Sequence, residues 1–242
     1  MLSPMSPVAP EMSGSLIIQQ PTGAADQLIV LFHGIGASAQ HMVPLDQRLA
    51  EEFPNAFVVS VDGPQASDLS AGRQWFSVHG ITEENRAIRV EAAMPGFQAT
   101  VRHRQGVAKV GVEGTALIGF SQGAIMALES TRRRDPPAGR VVSIAGLFAQ
   151  LPEQAARHTT LHLLHGKADP VIPYAHAIAA AERLVALGGD VTADVIPFVG
   201  HEINPEIEAL LVERLKGYLP RRHWEEALRA DGGRMPDRVS AA

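Results

Sequence analysis

The pentapeptide Gly119-Phe120-Ser121-Gln122-Gly123 has the clearest chemical meaning in the chain. The apolar residues 115–118 precede it and helix-forming residues follow it, which predicts a serine at a sharp turn between a strand and a helix. Such a turn has little room for neighbouring side chains, and glycine at both ends meets that need. The helix N-terminus behind the serine favours developing negative charge. This context predicts that Ser121 is a nucleophile; the alternative is an ordinary glycine-rich turn.

Two more candidate catalytic residues follow predicted strands. Asp169 comes soon after strand 161–164, and His201 comes soon after strand 191–197. Because ligands of open α/β sheets bind beyond the carboxyl ends of the strands, both should lie near Ser121. The order Ser, Asp, His along the chain is the order of the α/β-hydrolase triad. Taken singly, His201 could be a loop histidine and Asp169 a turn former.

The triad predicts a role for each residue. His201 would take the proton of the serine hydroxyl, which is a weak nucleophile at neutral pH. Asp169 would hold His201 in the right tautomer. The oxyanion would need two backbone N–H donors, which Gln122 and Ile35 are placed to give. His33, in the same loop as Ile35, is expected to fix that loop.

Other candidates have structural alternatives. Trp75 and Phe76 could line the substrate pocket or belong to the core. His162 and His165 resemble a metal-binding pair, but residues three apart on a strand face opposite ways, so we expect no metal site. The arginine run 132–134 is expected to be cations at a helix C-terminus rather than a nucleic-acid patch.

The composition excludes several function classes. The chain has 242 residues and a formal charge of −5, which gives no electrostatic case for nucleic acid or an anionic membrane as partner. It has no cysteine, which excludes thiol nucleophiles and thiolate metal sites and fits a cytoplasmic location. Residues 1–13 do not resemble a secretory signal and are expected to be a flexible lead. Residues 231–242 are expected to be a disordered tail.

Strand and helix patterns alternate over residues 14–230, which predicts a single α/β domain. The fold class is a mostly parallel, doubly wound sheet with helices on both faces. The run 28–32 is apolar throughout, as in a strand buried on both faces, whereas 15–19 resembles an edge strand. A helix should run from Ser38 to about residue 52. Another should begin near Thr82 and run to about residue 105, kinked or split at Pro95.

With these residues in view, the chain resembles the carboxylesterase/phospholipase family of small α/β-hydrolases, which includes the acyl-protein thioesterases. The resemblance covers roughly residues 16–230 and rests on the segments LFHG (31–34), GRQWFS (72–77), GITE (80–83), ALIGFSQGA (116–124), HGKADPV (165–171) and Gly200-His201. It implies serine esterase activity with no cofactor, the triad Ser121, Asp169 and His201, and the oxyanion donors Ile35 and Gln122. Members of this family are often monomers or dimers.

The resemblance leaves the substrate open. The thioesterase branch usually has a second glycine where this chain has Ala124, and an Asp-Thr or Asp-Ser pair where it has Ala37-Ser38. Between residues 146 and 160 there is no room for a cap domain, so an open cleft is expected. The main expectation is a serine carboxylesterase that hydrolyses small esters of short acyl chains. The alternatives are a thioesterase or lysophospholipase for longer acyl chains, and a hydrolase-fold protein that binds an ester or lactone without turnover.

Overall fold

The computed structural model describes residues 14–230. The expectations for residues 1–13 and 231–242 lie outside this part of the chain. A seven-stranded sheet has the order β1-β3-β2-β6-β7-β8-β9, and a separate pair, β4-β5, lies in the loop after β3. The strands are β1 (Ser15–Gln19), β2 (Gln27–Phe32), β3 (Ala56–Val61), β4 (Gln65–Ala66), β5 (Arg73–Gln74), β6 (Thr115–Phe120), β7 (Arg140–Ile144), β8 (Thr160–Gly166) and β9 (Asp190–Ile196).

The large sheet is parallel except at one edge, where β1 pairs antiparallel with β3. Within residues 14–230, six α-helices lie between or after the strands, in agreement with the α/β pattern. They are α1 (Val43–Glu52), α2 (Glu83–Ala108), α3 (Gln122–Ser130), α4 (Ala175–Ala186), α5 (Pro205–Gly217) and α6 (Arg221–Ala230). The carboxyl ends of the parallel strands therefore meet at one edge, which is where ligands of such sheets bind.

Both faces of the sheet are buried. Along β2, Leu28, Val30 and Phe32 pack into a core shared with α2, α3 and α4. Ile29 and Leu31, which alternate with them, pack into a second core shared with α1 and α5. The unbroken apolar run at 28–32 arises because neither face of this strand meets water. The predicted fold class is confirmed.

Three local features differ from the sequence-based expectations. The segment after Ser38 begins as a 3₁₀ turn, Ala39–Met42, and becomes α-helical only at Val43. The loop after β3 contains the short β4-β5 pair, which has too few residues to give a strand pattern.

The third difference is at Pro95, which does not split α2: the helix continues from Glu83 to Ala108. A proline removes only one backbone donor from a helix, and the flanking Met94 and Phe97 are both buried in the core. Packing on both sides of the proline therefore holds the helix together. Within residues 14–230, no helix is both long and apolar enough to span a bilayer.

Candidate active site

Ser121 lies between the end of β6 and the start of α3 in a strained backbone conformation, with φ 51° and ψ −115°. A positive φ is uncommon for a residue other than glycine and costs about 1–3 kcal/mol unless the surroundings enforce it. The surroundings here include a hydrogen bond from Ser121 N–H to the carbonyl of Ile144 at 3.0 Å. The strained turn places Ser121 directly after the carboxyl end of β6, at the edge of the sheet.

The two glycines of the pentapeptide are required by close contact. A Cβ at Gly119 would lie 2.4 Å from the backbone nitrogen of Ala124. A Cβ at Gly123 would lie 2.3 Å from the carbonyl oxygen of Phe32. Any larger residue at either position would push α3 away from the sheet. The compact turn therefore depends on both glycines.

The structure brings together the three residues that the sequence analysis placed at separate strand ends. Ser121 Oγ is 2.9 Å from His201 Nε2. On the other side of the ring, His201 Nδ1 is 2.7 Å from Asp169 Oδ2. The Asp169 side chain is fully buried, while the His201 side chain retains 15% of its exposure. The imidazole thus lies between a closed carboxylate and a serine at the edge of the sheet.

Asp169 is held as a carboxylate by several donors. Its Oδ1 accepts hydrogen bonds from the backbone N–H groups of Val171 and Ile172, at 2.8 and 2.9 Å. Burial works to raise the pKa of Asp169, but the hydrogen bonds from His201, Ile172 and Val171 outweigh it and hold the pKa below its usual value. Because Asp169 is ionised, its Oδ2 can accept a hydrogen bond from the Nδ1–H of His201.

His165 supports the same loop. Its Nε2 donates to the carbonyl of Ile172 at 2.8 Å and lies 3.3 Å from Asp169 Oδ2. Burial lowers the pKa of His165, which favours the neutral ring. His162 contacts Thr192 Oγ1 at 2.8 Å instead, and burial lowers its pKa to about 4. Among residues 14–230, no group of three or more His, Cys, Asp or Glu side chains could hold a metal ion.

The loop that carries Ile35 is anchored by His33, whose ring is fully buried. His33 Nδ1 donates to the carbonyl of Gly34 at 2.6 Å, and Nε2 accepts from the N–H of Gly63 at 2.9 Å. Burial lowers the pKa of His33, consistent with a neutral ring. Gly36 has φ +80°, a conformation that glycine adopts without strain. The loop turns sharply and is fixed at its start.

The two candidate oxyanion donors have different settings. Gln122 is the first residue of α3, so its N–H belongs to the helix terminus that has no partner within the helix. Ile35 N–H donates to no backbone carbonyl within residues 14–230. Both lie beside Ser121 along the carboxyl edge, since Ile35 follows β2 and β2 pairs with β6. The arrangement can present two N–H groups to a substrate oxygen.

Trp75 and Phe76, which the sequence left as core or pocket residues, are 2% and 3% exposed and belong to the core. The Trp75 ring packs edge-on against Phe32 and Phe97, at centroid distances of 5.4 and 5.7 Å. Its indole Nε1 donates to the carbonyl of His33 at 2.9 Å. Burial was not apparent from sequence because these residues lie in a segment without a helix or strand pattern.

Sequence reasoning missed two contacts within the site. The side chain of Gln122 is buried and bonds the backbone of residues 75 and 76. The ring of Phe120 lies 5.0 Å from the ring of His201. Both residues belong to the pentapeptide that was singled out, but a sequence pattern does not reveal tertiary partners.

The arginine run lies away from this edge, after the end of α3. Arg132 pairs with Glu129 at 2.7 Å, and Arg133 makes two hydrogen bonds to the Glu91 carboxylate. Two of the three arginines are therefore paired with carboxylates of α3 and α2.

The family described as Phospholipase/Carboxylesterase matches residues 13–214. The chain belongs to the phospholipase/carboxylesterase family. It is 48% identical to Esterase YpfH of Escherichia coli (strain K12) over 221 residues, which is 91% of this chain and 94% of that protein. The chain is therefore a hydrolase of the α/β-hydrolase class, a serine esterase.

Two other similarities agree with this assignment, and a third shows the same fold. Acyl-protein thioesterase 1 of Gibberella zeae is 32% identical over 115 residues, covering 43% of this chain and 49% of that protein. The crystal structure of esterase PE8 has a TM-score of 0.76 at 26% identity and covers 85% of this chain and 99% of that chain. A carboxylesterase of Bacillus cereus, at 17% identity and a TM-score of 0.70, shares the fold; 82% of this chain and 91% of that chain are covered.

Proposed function

We propose that this esterase hydrolyses small, short-acyl carboxylic esters through the triad Ser121, His201 and Asp169, with an acyl-enzyme intermediate. The observation that carries the proposal is the unbroken line of contacts from Ser121 Oγ to His201 Nε2 and from His201 Nδ1 to Asp169 Oδ2. Asp169 is ionised at neutral pH and accepts a hydrogen bond from His201 Nδ1–H. The Nδ1 proton therefore stays on the ring, and Nε2 is left free to accept a proton.

Acylation uses each group in turn. As Ser121 Oγ bonds to the ester carbonyl carbon, its proton passes to His201 Nε2 and the carbonyl electrons move to the oxygen. Asp169 stabilises the imidazolium that forms. When the tetrahedral intermediate collapses, the bond to the alcohol oxygen breaks and His201 returns the proton to that oxygen. The alcohol leaves, and the acyl group remains on Ser121.

Deacylation repeats these steps with water as the nucleophile. His201 takes a proton from the water as it attacks the acyl carbon, then returns it to Ser121 Oγ as the carboxylic acid leaves. In both halves the N–H groups of Ile35 and Gln122 stabilise the oxyanion. Such donors lie in place before the reaction begins, so little reorganisation is needed.

The preference for short acyl chains rests on the loop between β7 and β8. Residues 145–159 contain no helix or strand. This is the part of the chain that the sequence analysis considered too short to hold a cap domain. Without a cap, little wall is available to bury extra methylenes, each worth about 0.8 kcal/mol. The long-chain alternative calls for an apolar channel near Trp75, but that side chain is packed in the core.

The test compares wild-type protein with Ser121→Ala on p-nitrophenyl acetate and butyrate. The substitution should reduce kcat by about 10³-fold or more. Equal, slow rates for both proteins would favour the non-catalytic binding alternative. A series from acetyl to palmitoyl esters then tests the acyl preference. We expect kcat/KM to be highest for the short chains, and a steady rise to palmitoyl would refute the short-acyl proposal.

A further inference from the structure

Gln122 has two separate parts in this site. Its backbone N–H is one proposed oxyanion donor, while its side chain, 3% exposed, points to the segment after β5. Oε1 accepts from Trp75 N–H at 2.7 Å, and Nε2 donates to the carbonyl of Phe76 at 2.7 Å. The amide thus satisfies two buried backbone groups and ties this segment to the residue after the nucleophile.

Residues 73–75, which comprise β5 and Trp75, hold the oxyanion loop on both sides of Ile35. Before Ile35, the indole of Trp75 donates to the carbonyl of His33 at 2.9 Å. After Ile35, Gly36 N–H donates to the carbonyl of Arg73 at 2.9 Å, and Arg73 N–H donates to the carbonyl of Ala37 at 2.7 Å. Ile35 therefore lies between two anchored points, and both are anchored to residues 73–75.

We propose that the Gln122 side chain and Trp75 are positioning residues that set the spacing between the two oxyanion donors. Gln122 gives one donor through its backbone N–H. Its side chain also holds the Trp75 segment, which fixes the position of Ile35, the other donor. This inference rests on the proposed function and adds a role for two side chains that touch no substrate atom.

The physical argument concerns distance. An oxyanion donor is effective only when it lies about 2.7–3.1 Å from the developing charge, and a misplacement of about 1 Å can cost two orders of magnitude in rate. Beyond the His33 anchor at its start, the Ile35 loop contains Gly34 and Gly36 and has little side-chain bulk to fix it. The hydrogen bonds from Trp75 and Gln122 are buried, so water does not compete for them. Loss of these hydrogen bonds should make the position of the Ile35 N–H less well defined without unfolding the protein.

The test uses Trp75→Phe, which removes the indole N–H but keeps an aromatic ring, and Gln122→Met, which keeps the backbone N–H and approximate size. For p-nitrophenyl butyrate, kcat should fall by about tenfold in each variant while KM stays within about twofold. Phe57→Leu is the matched control: Phe57 is buried in the same core but lies near the amino end of β3. It should lower the unfolding temperature without lowering kcat to this extent.

A second measurement separates positioning from general destabilisation. A trifluoromethyl ketone forms a tetrahedral oxyanion adduct with the serine. An unreactive amide of the same size binds without forming such an adduct. The inhibition constant of the ketone should rise in both variants by about the same factor as kcat falls, and that of the amide should stay unchanged. If Trp75→Phe does not fold, Gln122→Met carries the same comparison.

The double variant gives a third readout. Because both side chains act through one chain of contacts, Trp75→Phe with Gln122→Met should lose little more activity than either single variant. Unchanged kcat in both single variants, a loss confined to KM, or an unchanged ketone inhibition constant would overturn the inference. If Ser121→Ala retained wild-type activity, the proposed function itself would fail; if only the positioning variants behaved like wild type, the proposed function would stand.

Discussion

Replacing the buried Asp46 by asparagine should remove a pH dependence of folding stability. The Asp46 side chain lies in α1 with no exposed surface, and Ser60 Oγ donates to its Oδ2 at 2.7 Å. Within the described residues, Oδ1 has no hydrogen-bond partner. Burial raises the pKa of Asp46 from 3.8 to about 7, and the Ser60 bond offsets only part of this.

The sign and size follow from proton linkage. The folded protein binds the Asp46 proton more tightly than the unfolded chain, so this group makes the protein less stable as pH rises from 3.8 to about 7. A difference of roughly three pKa units corresponds to about 4 kcal/mol in full, of which about 2–3 kcal/mol falls between pH 5 and pH 8. This change is a large share of the free energy of unfolding of a native protein, which is typically about 5–15 kcal/mol.

The assay is urea unfolding of wild type and Asp46→Asn at several pH values. Relative to wild type, the unfolding free energy of the variant should rise by about 2–3 kcal/mol from pH 5 to pH 8. Taking the difference cancels the contributions of the buried histidines. Asp26→Asn, at an exposed position, is the control and should run parallel to wild type. Parallel curves for Asp46→Asn would refute the argument from burial.

Two further changes test the geometry of the site. Asp169→Asn keeps the side-chain size but cannot enforce the tautomer with a proton on His201 Nδ1, so kcat for p-nitrophenyl butyrate should fall by about 10⁴-fold. A loss below tenfold, in a variant with wild-type circular dichroism, would contradict the orienting role. Gly123→Ala puts a Cβ 2.3 Å from the Phe32 carbonyl oxygen, so the unfolding free energy in urea should drop by about 1–3 kcal/mol. Gly106→Ala meets nothing within 4 Å and should be neutral or stabilising; equal effects of the two substitutions would contradict the steric argument.

Much of the fold could be predicted because the burial of strand and helix faces determines which positions in the sequence are apolar. The run 28–32 is apolar at every position because both faces of β2 are covered, and the acidic residues after Thr82 mark the start of α2. The β4-β5 pair has no such apolar pattern, since each strand has only two residues and forms through pairing with its partner across the loop. The continuity of α2 through Pro95 depends on tertiary packing, which local rules for proline do not include.

The candidate site shows a similar division. Ser121, Asp169 and His201 could be grouped because each follows a strand of a parallel sheet, and topology then places all three at one edge. The partners of Gln122 and Trp75 could not be inferred. Their hydrogen bonds join residues more than forty positions apart through backbone groups, and backbone groups carry no sequence signature.

The most direct test of the central claim is to locate the covalent adduct of a fluorophosphonate, which reacts with activated serines. After incubation with the reagent and proteolysis, mass spectrometry should find one modified peptide, with the label on Ser121, and esterase activity should be lost in proportion to labelling. Ser121→Ala protein should remain unlabelled under the same conditions. Label on another residue, or loss of activity without label on Ser121, would contradict the account.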